Sequence, residues 1–217
     1  MGLLILIIFA YMLGSVPFGL IVSKTHGIDL RNIGSGNIGA TNLSRALGRK
    51  WGYVCFGLDT AKGLIPMMIA GRFVSSPPST AEFFLWLAVG FAAVTGHIFP
   101  VYLKFRGGKG VATSFGVALG LWPYYTVCAL ISLVIWVSFV LIWRYVSLSS
   151  IAASVAFPAA LAVATAATPS WQITELWPLF TAAAVIPLMV IFRHRENIKR
   201  ILAGTEGKVL SKKHRPQ

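Results

Sequence analysis

Glycines and cations are concentrated in the stretch KFRGGKGVATSFG, residues 104–116, which separates two strongly apolar segments. The candidate phosphate-binding glycines in it are Gly107, Gly108 and Gly110. If a helix begins near Val111, its free N–H groups and the positive end of its dipole face this loop. Lys109 could then place its ammonium on the same anion. The segment predicts a phosphate site, with a flexible turn as the alternative; the Walker A motif G-x-x-x-x-G-K-[ST] is not matched.

In chain order, the first polar segment is RNIGSGNIGATNLSRALGRKWG, residues 31–52, which contains five glycines; the stretch at residues 104–116 is the second. Glycine allows backbone N–H groups to turn toward a ligand, and the planar guanidinium of Arg45 can bind phosphate through two hydrogen bonds. The other candidate ligand-binding residues here are Ser35, Gly36, Asn37, Thr41 and Asn42. An ordinary basic loop at a membrane surface is the alternative, but such loops are rarely this rich in glycine and asparagine. We therefore predict a binding role.

The third polar segment, FRHRENIKRILAGTEGK, covers residues 192–208 and follows the last apolar run. His194, Asn197 and Arg200 are spaced three residues apart, so on a helix they share one face. His194 is the one plausible side-chain base among these segments. His97, in the sequence GHIFP, is either a hydrogen-bonding residue at a helix end or a further member of the site.

Composition places these segments in a membrane protein. The chain has 217 residues, of which 56% are hydrophobic and 12% charged, with a mean hydropathy of +0.75; soluble domains have about 25% charged residues. Membrane topology and an anionic ligand explain the net charge of +13 better than nucleic acid does, because a nucleic-acid-binding domain is not this apolar. The length indicates one domain, residues 1–217. Cys55 and Cys128 lie in apolar segments, so no disulfide is expected.

Seven apolar segments predict an all-α fold with about seven membrane-spanning helices. They lie at about residues 2–23, 51–73, 81–103, 111–121, 123–143, 147–167 and 174–192. The first has neither a basic leader region nor a cleavage site, so we expect a retained helix, kinked near Pro17. The fourth is too short to cross ~30 Å of hydrocarbon at ~1.5 Å per residue. Merging it with the fifth would reduce the count to six.

The distribution of positive charge sets the orientation. With seven spans and the N-terminus outside, the cytoplasmic segments carry 17 of the 19 lysines and arginines, as the positive-inside rule requires. Six spans would place either the cations of residues 104–110 or those of the tail outside. We therefore predict an external N-terminus and a cytoplasmic C-terminus. Two charges remain within the second span, Asp59 and Lys62, and their spacing predicts a mutual ion pair, either structural or functional.

The sequence offers little that could bind a metal ion. The acids on the predicted cytoplasmic face are far apart in the chain: Asp29, Glu196 and Glu206. A Mg²⁺ site or a catalytic carboxylate pair is therefore not expected, histidines and cysteines lack the spacing of a zinc site, and no cofactor is predicted. No histidine is followed five positions later by an aspartate, the His-x4-Asp signature typical of many thioester-dependent glycerolipid acyltransferases.

Five motifs together resemble the bacterial acyl-phosphate:glycerol-3-phosphate acyltransferase family. In chain order they are GSVPFG, GSGNIGATN with the downstream Arg45, GHIFPVYLKFRGGKGVATSFG, RYVSLSSI and HRENIKRILAGTEGK. The resemblance implies an enzyme of phospholipid synthesis in the bacterial inner membrane, with its active site facing the cytoplasm. It also implies acyl phosphate and glycerol 3-phosphate as substrates, and 1-acyl-glycerol 3-phosphate (lysophosphatidic acid) and phosphate as products.

With these two substrates, each candidate residue takes an expected role. Residues 107–110 with Lys109 are expected to hold the acyl phosphate. The glycerol 3-phosphate is expected among Ser35, Arg45, Ser147, His194 and Asn197, and the division between the two sites stays open. Catalytic roles are predicted for Ser35, Arg45, Lys109, His194 and Asn197. Binding roles are predicted for Gly36, Asn37, Thr41, Asn42, Gly107, Gly108, Gly110, Ser147 and Arg200. Either His194 or the phosphate of a substrate serves as the base.

Two other classes of function remain open. A transporter or channel for an organic anion would use the same dipoles and cations, but with broken helices near the middle of the membrane. Against it, the polar motifs cluster on one predicted face and no repeated half is visible. A lipid-binding scaffold would need cations but not loops rich in glycine, serine and asparagine.

Overall fold

The computed structural model of the protein describes residues 2–209 of the 217-residue chain. In this part, the α-helices are α1 (Gly2–Gly14), α2 (Phe18–Thr25), α3 (Ala40–Leu47), α4 (Arg49–Ala70), α5 (Thr80–Ile98), α6 (Val111–Gly120), α7 (Thr126–Trp143), α8 (Val146–Ala167), α9 (Ile173–Arg193) and α10 (Arg195–Leu202). Short 3₁₀ turns cover Leu30–Asn32, Gly71–Phe73 and Val101–Leu103. Residues 2–209 contain no β-strand, which confirms the predicted all-α fold. The tail cations Lys212, Lys213 and Arg215 lie outside the described residues.

Six stretches of the described chain are long and apolar enough to cross a membrane. They are Gly2–Thr25, Arg49–Phe73, Thr80–Leu103, Thr126–Trp143, Val146–Ala167 and Ile173–Arg193. The remaining predicted span is the 10-residue helix α6, which covers only about 15 Å, half the thickness of the hydrocarbon layer. A turn over residues 121–125 separates α6 from α7, so the two helices do not merge into one span.

The first span is broken between α1 and α2, at the predicted kink near Pro17. Proline has no backbone N–H to donate and disfavours helical geometry at the preceding residue, here Val16. Helix α1 ends at Gly14 and α2 begins at Phe18. At the break, the backbone carbonyl of Val16 accepts a hydrogen bond from the Lys62 ammonium at 2.9 Å. The kink therefore brings a carbonyl within reach of a buried charge on α4.

Helix α6 packs against α4 with the two backbones in close contact, because glycines face α4. A Cβ on Gly116 would lie 2.0 Å from the carbonyl oxygen of Thr60, and one on Gly120 would lie 2.6 Å from the Cβ of Met67. Later residues of α6 thus meet later residues of α4, so the two helices run in the same direction. Helix α6 begins beside the middle of α4 rather than beside its first turn.

A second, smaller core supports the polar segment of residues 31–52. Its buried side chains are Leu20, Leu30, Ile38, Leu43 and Cys55. They come from α2, the following loop, α3 and α4, and they form a cluster separate from the main core of the spanning helices. Burial of these side chains anchors an otherwise polar loop on the ends of α2 and α4.

We predict that the Gly116→Ala variant is less stable than the wild-type protein. The new methyl group would overlap the Thr60 carbonyl, and overpacking of this kind costs roughly 1–3 kcal/mol. The variant should therefore melt at a lower temperature in detergent. Gly57→Ala, on the exposed side of α4, is the control, because nothing lies within 4 Å of its new methyl group. Equal melting temperatures for the two variants would contradict the prediction.

Candidate active site

The first two polar segments meet at a cleft of about 310 Å³, which we call the first-loop cleft. Its lining residues are Arg31, Ser35, Gly36, Asn37, Ile38, Arg106 and Gly107. Predicted site residues from two distant parts of the chain therefore share one cavity. Arg31 is paired with Asp29, its Nε donating to Oδ1 at 2.9 Å. Arg106 was not among the predicted site residues, and it places a second guanidinium on the cleft wall.

One buried side chain, Asn42, shapes the loop that forms this cleft. Its amide nitrogen lies 2.9 Å from the carbonyl oxygens of Ile33 and Asn37, and 3.1 Å from that of Leu30. Its side-chain oxygen accepts a hydrogen bond from the N–H of Ser35 at 3.2 Å. Asn42 is only 2% exposed and bonds to the loop backbone, so it supports the loop; its role in ligand binding stays a prediction.

Two further residues predicted from the first segment lie on α3. Thr41 is half-buried and does not line the cleft. Arg45 is exposed, and its Nη2 donates to the carbonyl oxygen of Gly207 at 2.7 Å. Arg45 therefore links the first polar segment to the third, and its remaining N–H groups stay available for an anion.

The glycines of the second segment pack against the end of α5. The N–H of Gly107 donates to the Ile98 carbonyl at 3.0 Å, and the N–H of Gly108 donates to the His97 carbonyl at 3.1 Å. A Cβ on Gly107 would lie 2.1 Å from the His97 carbonyl oxygen, and one on Gly108 would lie 2.1 Å from His97 Nε2. The N–H groups of Gly107 and Gly108 are therefore used within the protein, and the predicted binding roles of these two glycines stay predictions. Gly110, with φ +84°, remains at the N-terminus of α6.

Lys109 connects the second segment to the third. Its ammonium donates to the side-chain oxygen of Asn197. One residue earlier, the carbonyl of Gly108 accepts a hydrogen bond from Nη2 of Arg193 at 2.7 Å. Both contacts join the loop before α6 to the end of α9 and to α10, so the structure brings together the predicted residues Lys109 and Asn197.

A single carboxylate, Glu206, organises the residues around Lys109; we call this group the Glu206 cluster. Its Oε1 accepts from Asn197 Nδ2 at 2.7 Å and from Ser147 Oγ at 3.2 Å, and its Oε2 accepts from Arg200 Nε at 2.7 Å. The predicted residues Ser147, Asn197 and Arg200 therefore bind Glu206 in the free protein. Sequence reasoning counted Glu206 only as an isolated cytoplasmic acid and did not place it in the site.

The charge of Glu206 is fixed by these contacts. Its side chain is 6% exposed, and burial alone would raise the pKa of the carboxyl. The hydrogen bonds from Asn197 and Arg200 outweigh that effect, so the pKa lies below its ordinary value. The carboxylate therefore stays ionised at neutral pH and holds its donors in place.

The protonation of Lys109 is more finely balanced. Burial lowers the pKa of its ammonium from 10.5 to about 8; Glu206 opposes the decrease, and the charge of Arg200 adds to it. The charged form therefore predominates at neutral pH. The negative charge of Glu206 offsets only part of the cost of burying the ammonium. An anion placed beside Lys109 would restore the balance.

His194 is held as a neutral imidazole. Its Nδ1 lies 2.8 Å from the carbonyl oxygen of Val190, and since a carbonyl only accepts, Nδ1 carries the proton. The other nitrogen, Nε2, can then accept a hydrogen bond. Burial and, next in size, the positive charge of Lys109 lower the pKa of His194 from 6.5 to about 4.

The predicted pair of charges within the second span is present. Lys62 Nζ lies 2.8 Å from Asp59 Oδ1, and both side chains are buried. His97 belongs to the same group, with its Nδ1 3.7 Å from that carboxylate oxygen. This buried group lies directly behind Gly108, because the His97 ring lies between Gly108 and the Asp59 carboxylate.

Known proteins are similar to this chain along nearly its whole length. A family model described as glycerol-3-phosphate acyltransferase matches residues 4–204. The glycerol-3-phosphate acyltransferase of Geotalea daltonii is 45% identical over 205 residues, which cover 94% of this chain and 96% of the relative. The protein of the same description from Aquifex aeolicus is 44% identical over 206 residues, covering 95% of this chain and 98% of the relative.

The fold is similar to two crystal structures of PlsY (YgiH), described as an integral membrane glycerol 3-phosphate acyltransferase. The glycerol 3-phosphate form gives a TM-score of 0.81 at 42% identity and covers 96% of both chains. The lysophosphatidic acid form gives a TM-score of 0.78 at 41% identity, covering 96% of this chain and 95% of that one. Motifs, family match and fold agree, and the chain belongs to the glycerol-3-phosphate acyltransferase family.

Proposed function

We propose that this chain transfers a fatty acyl group from acyl phosphate to a hydroxyl of glycerol 3-phosphate, giving lysophosphatidic acid and inorganic phosphate. Its family makes it a membrane glycerol-3-phosphate acyltransferase. The related crystal structures are described as glycerol 3-phosphate and lysophosphatidic acid forms. The observation that supports acyl phosphate as the donor is the half-buried Lys109 ammonium beside Asn197, immediately before α6.

The reaction of an acyl phosphate needs no acyl-enzyme intermediate, because the donor is already a mixed anhydride. The hydroxyl oxygen of the acceptor attacks the acyl carbon and forms the ester bond. The bond from that carbon to the phosphate oxygen breaks, and the phosphate leaves with the electron pair. Lys109 and the first N–H groups of α6 face the growing charge and stabilise it, while the loops hold the two substrates in contact.

The proton of the attacking hydroxyl must pass to a base, and His194 is a weak one. An imidazole whose conjugate acid has a pKa of about 4 holds a proton poorly at neutral pH. A phosphate monoester has a second pKa of about 6 and is the stronger base. We assign His194 Nε2 the role of accepting a hydrogen bond from the hydroxyl and orienting it. The phosphate of a substrate takes the proton.

Glycerol 3-phosphate is assigned to the side of the site that includes the first-loop cleft and Arg45. A cleft of about 310 Å³ falls within the range of roughly 300–1,000 Å³ in which small ligands bind. Ser35 and Asn37 offer neutral hydrogen-bonding groups there, and Arg106 offers a guanidinium. The Glu206 cluster, with Lys109, is assigned to the acyl phosphate.

We assign the chain to the bacterial inner membrane with seven crossings, an outside N-terminus and a cytoplasmic C-terminus. Helix α6 is counted as a shortened crossing that begins beside the middle of α4. Its direction, parallel to α4, supports this order, because α5, α6 and α7 then alternate in direction. The positive-inside distribution of 17 of the 19 lysines and arginines supports the same orientation.

Cysteine labelling of intact cells tests this topology. Single cysteines at Ser76 and Ser170, both exposed, should react with an impermeant maleimide added from outside. Cysteines at Arg49 and Lys104, also exposed, should react only after the cells are permeabilised. The native Cys55 and Cys128 are buried, so the background should be low. Labelling at Lys104 in intact cells would overturn the orientation.

The choice of donor is tested with purified protein in detergent. We expect phosphate release coupled to acylated product with acyl phosphate and glycerol 3-phosphate, and no product with acyl-CoA or acyl-carrier protein. The reason is that Lys109 and the α6 N-terminus stabilise a departing phosphate, not a thiolate. Product made in detergent, where no compartments exist, also rules out a transporter as the explanation. Comparable turnover with a thioester would show that the donor assignment is wrong.

Lys109 is tested by substitution and by a pH profile. Lys109→Ala should lower kcat/KM about a hundredfold, the effect of removing one charge-stabilising donor. The protonated ammonium is the required form and its pKa in the free protein is about 8. The phosphate that takes the proton loses its basic form below its second pKa of about 6. The wild-type kcat/KM should therefore be level between about pH 6 and pH 8 and fall above pH 8, whereas the residual activity of Lys109→Arg should show no fall above pH 8.

The exposed Lys104 is the matched control for Lys109. It lies in the same loop with a left-handed φ of 50°, a conformation that asparagine tolerates. Lys104→Asn should keep wild-type turnover and the wild-type pH profile. A severe loss in Lys104→Asn, together with normal turnover in Lys109→Ala, would place the anion site elsewhere.

A further inference from the structure

A group of three buried polar side chains lies beneath the active site, between α4 and α5. Lys62 Nζ lies 2.8 Å from Asp59 Oδ1, and His97 Nδ1 lies 3.7 Å from the same oxygen. All three residues are at most 6% exposed. A buried ion pair contributes little net stability compared with apolar residues of the same size, so fold stability alone does not account for these charges.

One end of this group supports the first-loop cleft. Lys62 Nζ donates to the carbonyl of Val16 at 2.9 Å, at the break between α1 and α2. Shortly after the break, Gly19 packs against the backbone of Ile38, so closely that a Cβ on Gly19 would lie 2.0 Å from the Ile38 carbonyl oxygen. Ile38 lines the first-loop cleft. The position of the broken helix thus sets the position of one cleft wall.

The other end supports the loop that carries Lys109. The His97 ring contacts Gly108, and the His97 carbonyl accepts the N–H of Gly108 at 3.1 Å. The carbonyl of Ile98 accepts the N–H of Gly107 at 3.0 Å. Lys109 follows directly in the chain, so a displacement of His97 would displace its ammonium.

The space between the two ends is closely packed. The gap bounded by Val16, Ile38, Asp59, Lys62 and His97 has no room for a water molecule. A movement at either end therefore cannot be absorbed by solvent and is transmitted through direct contacts.

We propose that Asp59, Lys62 and His97 act as positioning residues that fix the distance between the first-loop cleft and Lys109. They touch neither substrate; they align the two loops that do. The proposal rests on the acyl transfer proposed above and adds residues to it. A misplacement of about 1 Å between reacting groups can cost on the order of a hundredfold in rate, so a small shift in this group is sufficient to impair the reaction.

The first test replaces His97 by leucine, which removes the contact with Asp59 and leaves the Asp59–Lys62 pair intact. Rates are expressed per folded molecule, with the folded fraction taken from thermal melting in detergent. We expect kcat to fall on the order of a hundredfold with little change in either KM, because both substrates still bind but are misaligned. An unchanged kcat per folded molecule would overturn the proposal.

Trp86→Phe is the matched control for a structural role. Trp86 also joins α4 to α5, its Nε1 donating to the Met67 carbonyl at 3.0 Å, and it is also buried. It lies far along both helices from Gly108. The variant should melt at a lower temperature while keeping the wild-type kcat. A fall in kcat equal to that of His97→Leu would reduce the role of His97 to general stability.

The second test exchanges the charges in the double variant Asp59→Lys/Lys62→Asp. This exchange keeps a buried pair without net charge but removes the carboxylate from His97 and the donor from Val16. It remains informative if His97→Leu does not fold. Folded protein with strongly reduced kcat supports positioning, and folded protein with wild-type kcat overturns it. An inactive wild-type protein in the same assay would instead contradict the proposed reaction, so the two failures are distinguishable.

Discussion

Burial of the Lys109 ammonium is the constraint on which the rest of the site depends. A cation removed from water is costly unless an acceptor or an opposite charge is near it. Asn197 accepts its hydrogen bond, and Glu206, bonded to the amide nitrogen of Asn197, supplies the opposite charge. Both residues follow the last span, so α9 must end where α6 begins. Burial and the neighbouring arginines still lower the pKa of Lys109 to about 8. One carboxylate therefore does not fully balance the positive charge of the site, and in the proposed reaction the phosphate of the donor supplies the missing negative charge.

The depth of this site is set by the loop before α6. Gly107 and Gly108 bond back to the carbonyls of Ile98 and His97, so the chain turns beside the end of α5 instead of continuing away from it. Helix α6 then begins beside the middle of α4, so that Thr113 lies against Gly63 and Gly116 against Thr60. This explains why it is short. It also places the positive end of its dipole beside the buried Gly108 and Gly110, and burial increases the effect of the dipole on an anion.

Features that depend on composition or on neighbours in the chain could be predicted from the sequence. They include the apolar helices, the break in the first span and the ion pair of Asp59 with Lys62. Features that depend on residues far apart in the chain could not be predicted from the sequence. Glu206 looks like a lone acid among cations, and its donors on α8 and α10 surround it only after folding. The N–H of Gly108 looks free, because its acceptor, the His97 carbonyl, is reached through an irregular turn.

In the proposed reaction both substrates carry a phosphate, which creates a problem of selection that the cations alone do not solve. Lys109 and Arg45 attract either phosphate, so charge determines binding but not which substrate goes where. Discrimination must come from neutral groups and from shape. The first-loop cleft presents Ser35 and Asn37 to a small polar molecule, whereas a long acyl chain is accommodated only where the site opens to lipid. A fixed distance between the cleft and Lys109 then makes correct placement of both substrates the condition for reaction, which is the task we assign to the buried charges beneath them.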